Sequence, residues 1–188
     1  MNPENFPTDF LAFAQIRDVK FGKNVKVIKP VNMYECEIGD DCLVAAFSEI
    51  QKNVKVGNRT RIQSHSFICE GVTIGDDCFV SHGVMFVNDL FKSGRPAYND
   101  KTKWIKINVG NNVTFGTKAT IMANICDDVV IGAGAVVTTN ITKPGIYAGI
   151  PARFIRTYDK NENRELIPEV LAIKNPGNTF TPMPGNEL

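Results

Sequence analysis

The segment 38–86 decides the fold, and it reads IGDDCLVAAFSEIQKNVKVGNRTRIQSHSFICEGVTIGDDCFVSHGVMF. An aliphatic or aromatic residue recurs there at every sixth position: Ile38, Val44, Ile50, Val56, Ile62, Ile68, Ile74, Val80 and Phe86. A period of six fits neither an α-helix, which repeats near 3.6 residues, nor a flat strand, which repeats at 2. It predicts short strands joined by tight corners, each strand pointing one large side chain inward.

A second period, three hexads long, lies on top of the first, because Gly39, Gly57 and Gly75 each follow a large aliphatic residue and precede Asp or Asn. Gly, Asn and Asp tolerate the left-handed backbone of a tight corner. Three hexads per repeat predict a triangular coil, and successive coils stack at the strand spacing of roughly 4.8 Å. Cys42, Thr60 and Cys78 should then form one inward ladder of small core residues without a redox role.

The pattern is interrupted in three places. Upstream, Val25 and Val31 continue it with one extra residue before Ile38. Downstream, the glycine corner returns only at Gly110, which predicts a long extra loop that leaves the coil near Leu90 and returns near Asn108. Between Ile121 and Ile131 one corner, around Asn124, is two residues short, and the sequence does not say why.

Composition excludes several classes of protein. The chain of 188 residues has a formal net charge of +1, which argues against a nucleic-acid partner. No apolar run is long enough for a membrane-spanning helix, and no signal peptide is recognisable. We therefore expect a cytoplasmic protein that has no membrane partner and is not secreted. Five cysteines without CxxC spacing indicate reduced thiols, and with only two histidines no metal site is expected.

The hexads, together with the IGAGAVV run at 131–137 and the ending YAGIPAR at 147–153, resemble the left-handed β-helix (hexapeptide-repeat) acyltransferase superfamily. This resemblance implies an all-β fold, a left-handed parallel β-helix solenoid. It places the β-helix domain at residues 25–155 with a protruding loop at 90–108. Because a solenoid exposes its ends, residues 1–24 are predicted as an N-terminal cap and residues 156–188 as a C-terminal tail. Within the tail, 162–174 is a candidate short helix, against which Pro168 counts.

Residues 62–70 and 82–89, followed by the loop, resemble more narrowly the sugar-nucleotide 3-N-acetyltransferases of the dTDP-3-amino-3,6-dideoxyhexose type. The resemblance implies acetyl-CoA as cosubstrate and a nucleotide-sugar acceptor in surface polysaccharide or O-antigen biosynthesis. It also implies a homotrimer with active sites between subunits. UDP-linked amino sugars are an alternative acceptor, since their enzymes share the Phe-x-Asn element before the loop.

The spacing brings together the residues that the resemblance implies would bind the sugar acceptor. Glu70 and Asn88 are three hexads apart and must stack on one corner, with Asp89 next in the chain. Asn88 and Asp89 would accept hydrogen bonds from the amine as catalytic residues, and Glu70 would bind substrate. The competing interpretation is that Asn88 and Asp89 cap the loop turn and Glu70 is a solvated corner residue. His82, on a different corner, is the alternative base across a trimer interface, and His65 is a polar face residue or a sugar contact.

The cosubstrate would lie on the terminal coils. The backbone around Gly116, Ala133 and Gly134 would line the pantetheine arm, and Lys143 and Arg153 would bind phosphates. Cationic and aromatic loop residues would meet the nucleotide diphosphate and base, or simply be solvated.

Other functions on the same fold are less well supported. A γ-type carbonic anhydrase needs three histidine ligands, and the chain has two. An inactive scaffold does not explain the Asn88-Asp89 element. O-acetylation of a sugar, with His82 as an obligatory base, is the runner-up.

Overall fold

The computed structural model describes residues 15–98 and 100–159, and predictions for 1–14 and 160–188, including the tail helix, lie outside these ranges. Twenty strands, β1 to β20, form three sheets there. Sheet A contains β1 (Gln15–Arg17), β4 (Asn32–Tyr34), β7 (Glu49–Ile50), β10 (Phe67–Ile68), β13 (Met85–Phe86), β16 (Thr120–Ile121) and β18 (Val136–Val137). Sheet B contains β2 (Lys20–Phe21), β5 (Glu37–Ile38), β8 (Lys55–Val56), β11 (Thr73–Ile74) and β14 (Asn108–Val109). Sheet C contains β3 (Lys26–Val27), β6 (Leu43–Val44), β9 (Arg61–Ile62), β12 (Phe79–Val80), β15 (Thr114–Phe115), β17 (Val129–Ile131), β19 (Gly145–Ala148) and β20 (Arg153–Arg156).

The chain visits the three sheets in turn, so the architecture is the predicted left-handed parallel β-helix, with about seven coils. Neighbouring strands in each sheet are parallel, except that β20 folds back antiparallel on β19. The only helical element in the described ranges is a 3-10 turn at Lys101–Lys103, and nothing in them is long and apolar enough to cross a membrane as a helix.

The core is the inside of the triangular coil. All nine large residues predicted from the hexads, Ile38 to Phe86, are buried. The predicted ladder is confirmed too, since Cys42, Thr60 and Cys78 are at most 2% exposed and the Thr60 hydroxyl accepts a hydrogen bond from the Cys78 N–H at 3.0 Å. Burial raises the pKa of the Cys78 thiol to about 11, which fits a structural residue.

Each coil has three edges, and the edge between sheets B and C, which we call the ladder edge, carries the glycine corners. A Cβ added to Gly57 would lie 2.5 Å from the Gly75 carbonyl carbon of the next coil, so the coils stack too closely there for a side chain. The residue after each glycine is an Asp or Asn whose side chain accepts the backbone N–H of the preceding coil. Asp40 N–H to Asn58 Oδ1 (2.9 Å) and Asn58 N–H to Asp76 Oδ1 (2.8 Å) are two steps of this ladder.

The edge between sheets A and B, which we call the loop edge, holds every change in coil length. The predicted excursion is present, because β13 ends at Phe86 and β14 begins only at Asn108, while Ile74 pairs directly with Val109. The prediction of an extra residue before Ile38 is wrong. Met33 pairs with Ile50 and Phe21 with Ile38, so this corner lacks one residue instead. Val25 and Val31 occupy the small-residue positions, which also accept an aliphatic side chain.

The solenoid extends further towards the N-terminus than residue 25. β1 and β2 already pair in parallel with β4 and β5, and therefore form part of a coil. The first described coil thus begins at Gln15, within the segment that we predicted as a cap.

The corner that is two residues short lies at Asn124, as predicted, and the structure shows its cause. Val109, Ile125 and Ile141 pair with one another across successive shortened coils. The Asn124 side chain accepts the Asn108 N–H at 2.8 Å, and the Asn140 side chain accepts the Asn124 N–H at 3.0 Å. Asparagine side chains therefore satisfy the backbone donors that a longer corner would have paired.

Candidate active site

The third edge, between sheets C and A, brings both histidines together with the predicted cosubstrate residues, and we call it the histidine edge. Its successive corners are joined by backbone hydrogen bonds from each coil to the preceding one: Phe47 to Pro30, His65 to Ala46, Gly83 to Ser64, Lys118 to His82, and Gly134 to Thr117. One line of the surface thus contains His65, His82, Gly116, Ala133 and Gly134. This alignment was not predicted for the two histidines.

Backbone donors are left open along the histidine edge. On the ladder edge the N–H after each glycine is consumed by an Asp or Asn side chain. The equivalent residues here are Ser64, His82, Thr117 and Ala133, and within the described ranges the N–H groups of Thr117 and Ala133 donate no hydrogen bond. An exposed corner with unpaired N–H groups can receive the carbonyl oxygens of a ligand.

His82 is exposed on this edge and is oriented by a neighbour that sequence analysis missed. The Ser64 hydroxyl lies 2.9 Å from His82 Nδ1, and Nε2 has no hydrogen-bond partner among the described residues. A ring held through Nδ1 presents Nε2 to solvent as a proton acceptor or donor. The signal was available in the sequence, because Ser64 precedes His82 by one full coil of three hexads.

The two predicted phosphate-binding cations are placed differently. Arg153 is exposed and pairs with Ala148 at the end of β19. The Ala148 side chain lies 2.9 Å from where a Cβ of Gly132 would be, next to the histidine edge. Lys143 lies at the other end of β19, on the ladder edge, where its carbonyl accepts the Tyr147 hydroxyl at 2.9 Å. Arg153 can therefore approach a ligand beside Ala133 and Gly134, whereas Lys143 is separated from it by the width of sheet C.

Glu70 and Asn88 stack on the loop edge, as their spacing predicts, and both contact the loop. Asn88 Nδ2 donates to the Glu70 carbonyl at 3.1 Å, and the Asn88 carbonyl accepts the Ile105 N–H at 2.9 Å. The Glu70 carboxylate is 17% exposed and accepts Lys101 Nζ at 2.6 Å. These contacts attach the loop to the coil beneath it.

Asp89 also holds the loop. Its Oδ1 accepts the Phe91 N–H at 3.1 Å and its Oδ2 accepts the Ala97 N–H at 2.7 Å. Both oxygens thus cap backbone donors, which is the loop-capping role that sequence analysis left open beside the catalytic one.

A cleft of about 410 Å³ lies between this loop and the coil. Its lining includes Asp89, the cations Lys92, Arg95 and Lys103, and the ring of Trp104. Lys103 pairs with Asp100 at 3.2 Å, while Lys92 and Arg95 form no salt bridge with any described residue. The cleft therefore offers cationic groups next to an aromatic ring.

Within one chain the histidine edge and the loop edge do not meet, because sheet A lies between them. The predicted residues accordingly form two groups: His65, His82 and the backbone of 116–134 on one edge, and Glu70, Asn88 and Asp89 on the other. A single site built from both groups requires a second copy of the chain.

This fold, with its open histidine edge, defines a hexapeptide-repeat β-helix of the kind found in bacterial transferases. Residues 35–70 match the family model described as bacterial transferase hexapeptide (six repeats). Residues 106–139 match the hexapeptide repeat of succinyl-transferase. These matches confirm the resemblance to the hexapeptide-repeat acyltransferase superfamily.

Individual relatives agree with this class. The chain is 28% identical over 151 residues to the bifunctional protein GlmU of Streptococcus uberis, a match that covers 75% of this chain and 32% of GlmU. It is 35% identical over 92 residues to the galactoside O-acetyltransferase of Escherichia coli, covering 45% of this chain and 43% of that protein. The chain thus spans less than half the length of these curated relatives.

Two solved structures share the fold. One is a galactoside acetyltransferase in complex with coenzyme A, with a TM-score of 0.54 and 25% identity over 76% of this chain and 66% of that one. The other is an Asp-to-Asn variant of AntD, an N-acyltransferase from Bacillus cereus, in complex with dTDP and coenzyme A. Its TM-score is 0.54 at 19% identity, covering 82% of this chain and 91% of that one.

Proposed function

We propose that this protein transfers an acetyl group from acetyl-CoA to the 3-amino group of a dTDP-linked amino-dideoxy sugar. The observation that carries the proposal is the histidine edge, where open backbone donors at Thr117 and Ala133 follow an exposed, oriented His82. The CoA complex of the related galactoside acetyltransferase supports the choice of donor. The choice of a sugar amine as acceptor rests on residues 86–89 and the loop that follows them.

The donor would lie along the corners at Gly116, Ala133 and Gly134. A Cβ on Gly116 would clash with the backbone N atom of Ala133, so glycine leaves this corner low and the N–H accessible. Pantetheine amide carbonyls and the thioester oxygen can accept the open N–H groups of Thr117 and Ala133. Of the two predicted cations, Arg153 is the one placed for a phosphate of CoA.

The reaction needs few groups. The neutral amine attacks the thioester carbonyl carbon, a C–N bond forms, the C–S bond breaks, and CoA leaves as the thiolate. An α-amino group has a pKa of about 8, and a sugar amine should be similar, so a useful fraction is neutral near pH 7. The proton that the nitrogen loses passes to His82 Nε2 or directly to the thiolate, and a backbone N–H stabilises the oxyanion.

Both groups of predicted residues contribute if the protein is a homotrimer. Neighbouring chains would bring the loop edge of one chain against the histidine edge of the next. The spare lone pairs of the Asp89 carboxylate and the Asn88 side chain would then orient the amine near His82. The cations of the loop cleft would face the diphosphate of the sugar nucleotide.

The test is release of free thiol from acetyl-CoA with a panel of dTDP- and UDP-linked 3-amino and 4-amino sugars. We expect turnover with a 3-amino sugar, loss of it in Asn88→Ala, and residual turnover in His82→Ala. A protein that acylates no amine in the panel would contradict the proposal.

O-acetylation of a sugar is the second candidate, and the Ser64–His82 pair favours it. A hydroxyl is far less acidic than an ammonium group and needs a base to attack. His82→Ala would therefore abolish O-acetylation, and hydroxyl sugars without an amine would be the preferred acceptors.

A further inference from the structure

Phe47 is an aromatic residue in an unusual position on the histidine edge. Its φ is +63°, in the left-handed region, where a bulky side chain is a conformational outlier. Its side chain is nevertheless 62% exposed and adds nothing to the core. The corner is fixed by the Phe47 N–H, which donates to the Pro30 carbonyl at 2.6 Å. Asn or Asp would suit this backbone better, so a phenylalanine here invites a functional explanation.

The ring has one aromatic neighbour among the described residues, His65, on the next coil. The two ring centroids are 4.9 Å apart with an interplanar angle of 45°. His65 is itself exposed, with a φ of +62°. Phe47 and His65 together form a small exposed surface, which we call the ring pair.

The ring pair continues the proposed reaction site. Ser64, next to His65, contacts His82 on the following coil, so Phe47, His65 and His82 lie on three successive coils of the same edge. At roughly 4.8 Å per coil, Phe47 is about 10 Å from His82. The open donors at Thr117 and Ala133 lie on the opposite side of His82. Acetyl-CoA bound to these N–H groups leaves the side of Phe47 and His65 free for the sugar acceptor.

We propose that Phe47 and His65 form the platform on which the sugar ring of the acceptor lies. A pyranose face presents C–H groups to the electron-rich face of an aromatic ring. The imidazole of His65 adds a hydrogen-bond donor or acceptor for a ring hydroxyl. This inference rests on the proposed function, and it names the residues that would determine which sugar is accepted.

A sugar fits the ring pair better than a second copy of the chain. In the proposed homotrimer the loop edge of the next chain faces this edge, but a stable interface buries about 800 Å² on each partner and two rings at one corner supply only a fraction of that. The interface therefore does not depend on the ring pair, which can line the acceptor cleft between the chains. A monosaccharide matches the size of the ring pair and would place its substituents beside His82.

The experiment uses Phe47→Gly in the full chain, because glycine adopts this φ without strain and removes the ring. Its matched control is Asp41→Gly, since Asp41 occupies the same position in the preceding hexad, also has a positive φ (+56°) and is exposed, but lies on the ladder edge. The readouts are the KM for each substrate, calorimetric binding of a dTDP-linked 3-amino-3,6-dideoxyhexose, the thermal unfolding midpoint and the oligomeric state by light scattering.

We expect Phe47→Gly to weaken sugar-nucleotide binding and raise the acceptor KM by roughly 3- to 10-fold, the effect of one aromatic contact. The KM for acetyl-CoA, the unfolding midpoint and the oligomeric state should stay at the wild-type values, and Asp41→Gly should keep the acceptor KM of the wild type. Unchanged binding and acceptor KM in Phe47→Gly would overturn the platform alone, and so would a change in oligomeric state. A wild-type protein that neither binds nor acylates the sugar nucleotide would overturn the proposed function and the platform together.

Discussion

The Asp89 carboxylate should hold the loop in place, and replacing it with an amide tests this directly. Asp89→Asn keeps one carbonyl oxygen but turns an NH₂ group towards either the Phe91 N–H or the Ala97 N–H, and that backbone donor then loses its acceptor. A hydrogen bond to a charged group contributes about 1.5–3 kcal/mol. Losing one lowers the free energy of local opening by that amount, and amide exchange at Phe91 and Ala97 should accelerate about 10- to 100-fold.

The measurement is native-state hydrogen exchange across the loop, with Asp100→Asn as the control. Asp100 is a carboxylate of the same loop that accepts the Thr102 N–H at 3.3 Å and pairs with Lys103. Its replacement should leave exchange at Phe91 and Ala97 unchanged. If exchange at both amides keeps the wild-type rate in Asp89→Asn, the anchoring argument is refuted, and any loss of acyl transfer in that variant comes from the proposed contact of Asp89 with the amine alone.

Three further outcomes are expected. Gly57→Ala places a Cβ 2.5 Å from the backbone of the next coil and should lower the free energy of unfolding by about 3 kcal/mol. Gly71→Ala, with a φ of +80° and open space around the new Cβ, should lower the free energy of unfolding by only about 1 kcal/mol. Equal urea midpoints for the two variants would contradict this. The Asn58 backbone N–H and side chain hold the pKa of Asp76 below its ordinary value of 3.8, so the stability that this carboxylate adds is present above about pH 4 and lost as pH falls through the lower folded pKa. The difference in the free energy of unfolding between the wild type and Asp76→Ala should therefore shrink between about pH 5 and pH 2, as the contact between Asn58 and the Asp76 carboxylate is lost. A difference that stays constant over this range would contradict this explanation. Ser64→Ala should shift the pH profile of acyl transfer and leave the unfolding free energy within about 0.5 kcal/mol of the wild type, because it frees the orientation of His82 at an exposed site; an unchanged profile would show that Ser64 does not position the ring.

The solenoid could be predicted from sequence because its signal is repeated in every coil. The residues from Ile38 to Phe86 mark the inward positions, and Gly39, Gly57 and Gly75 mark one edge. The sequence predicts an extra residue before Ile38, whereas the corner at Glu35 is one residue short. The reason is that both inward positions of a hexad accept valine, so Val25 and Val31 fit the large-residue position and the small-residue position equally well. Hydrophobic spacing alone does not distinguish these two registers.

The candidate site was predicted only in part. Stacking of Glu70 on Asn88 follows from their separation by one whole coil. The open donors of Thr117 and Ala133 depend instead on which side chain the next coil places above each N–H. The hexad pattern already places Phe47 at a corner outside the two inward positions, but its positive φ and its ring contact with His65 appear only in the structure.

Confinement of all length changes to the loop edge has a consequence for how such a chain can diversify. On this edge the corner at Glu35 is one residue short, the corner after Asn88 contains the long loop, and the corner at Asn124 is two residues short. Across the other two edges the six-residue spacing of the inward residues does not change. Insertions and deletions along the loop edge change the loops that protrude from the solenoid without shifting any inward side chain. Foreign peptides grafted at Gly71, where an added Cβ would meet no atom within 4 Å, should accordingly be displayed without unfolding the host.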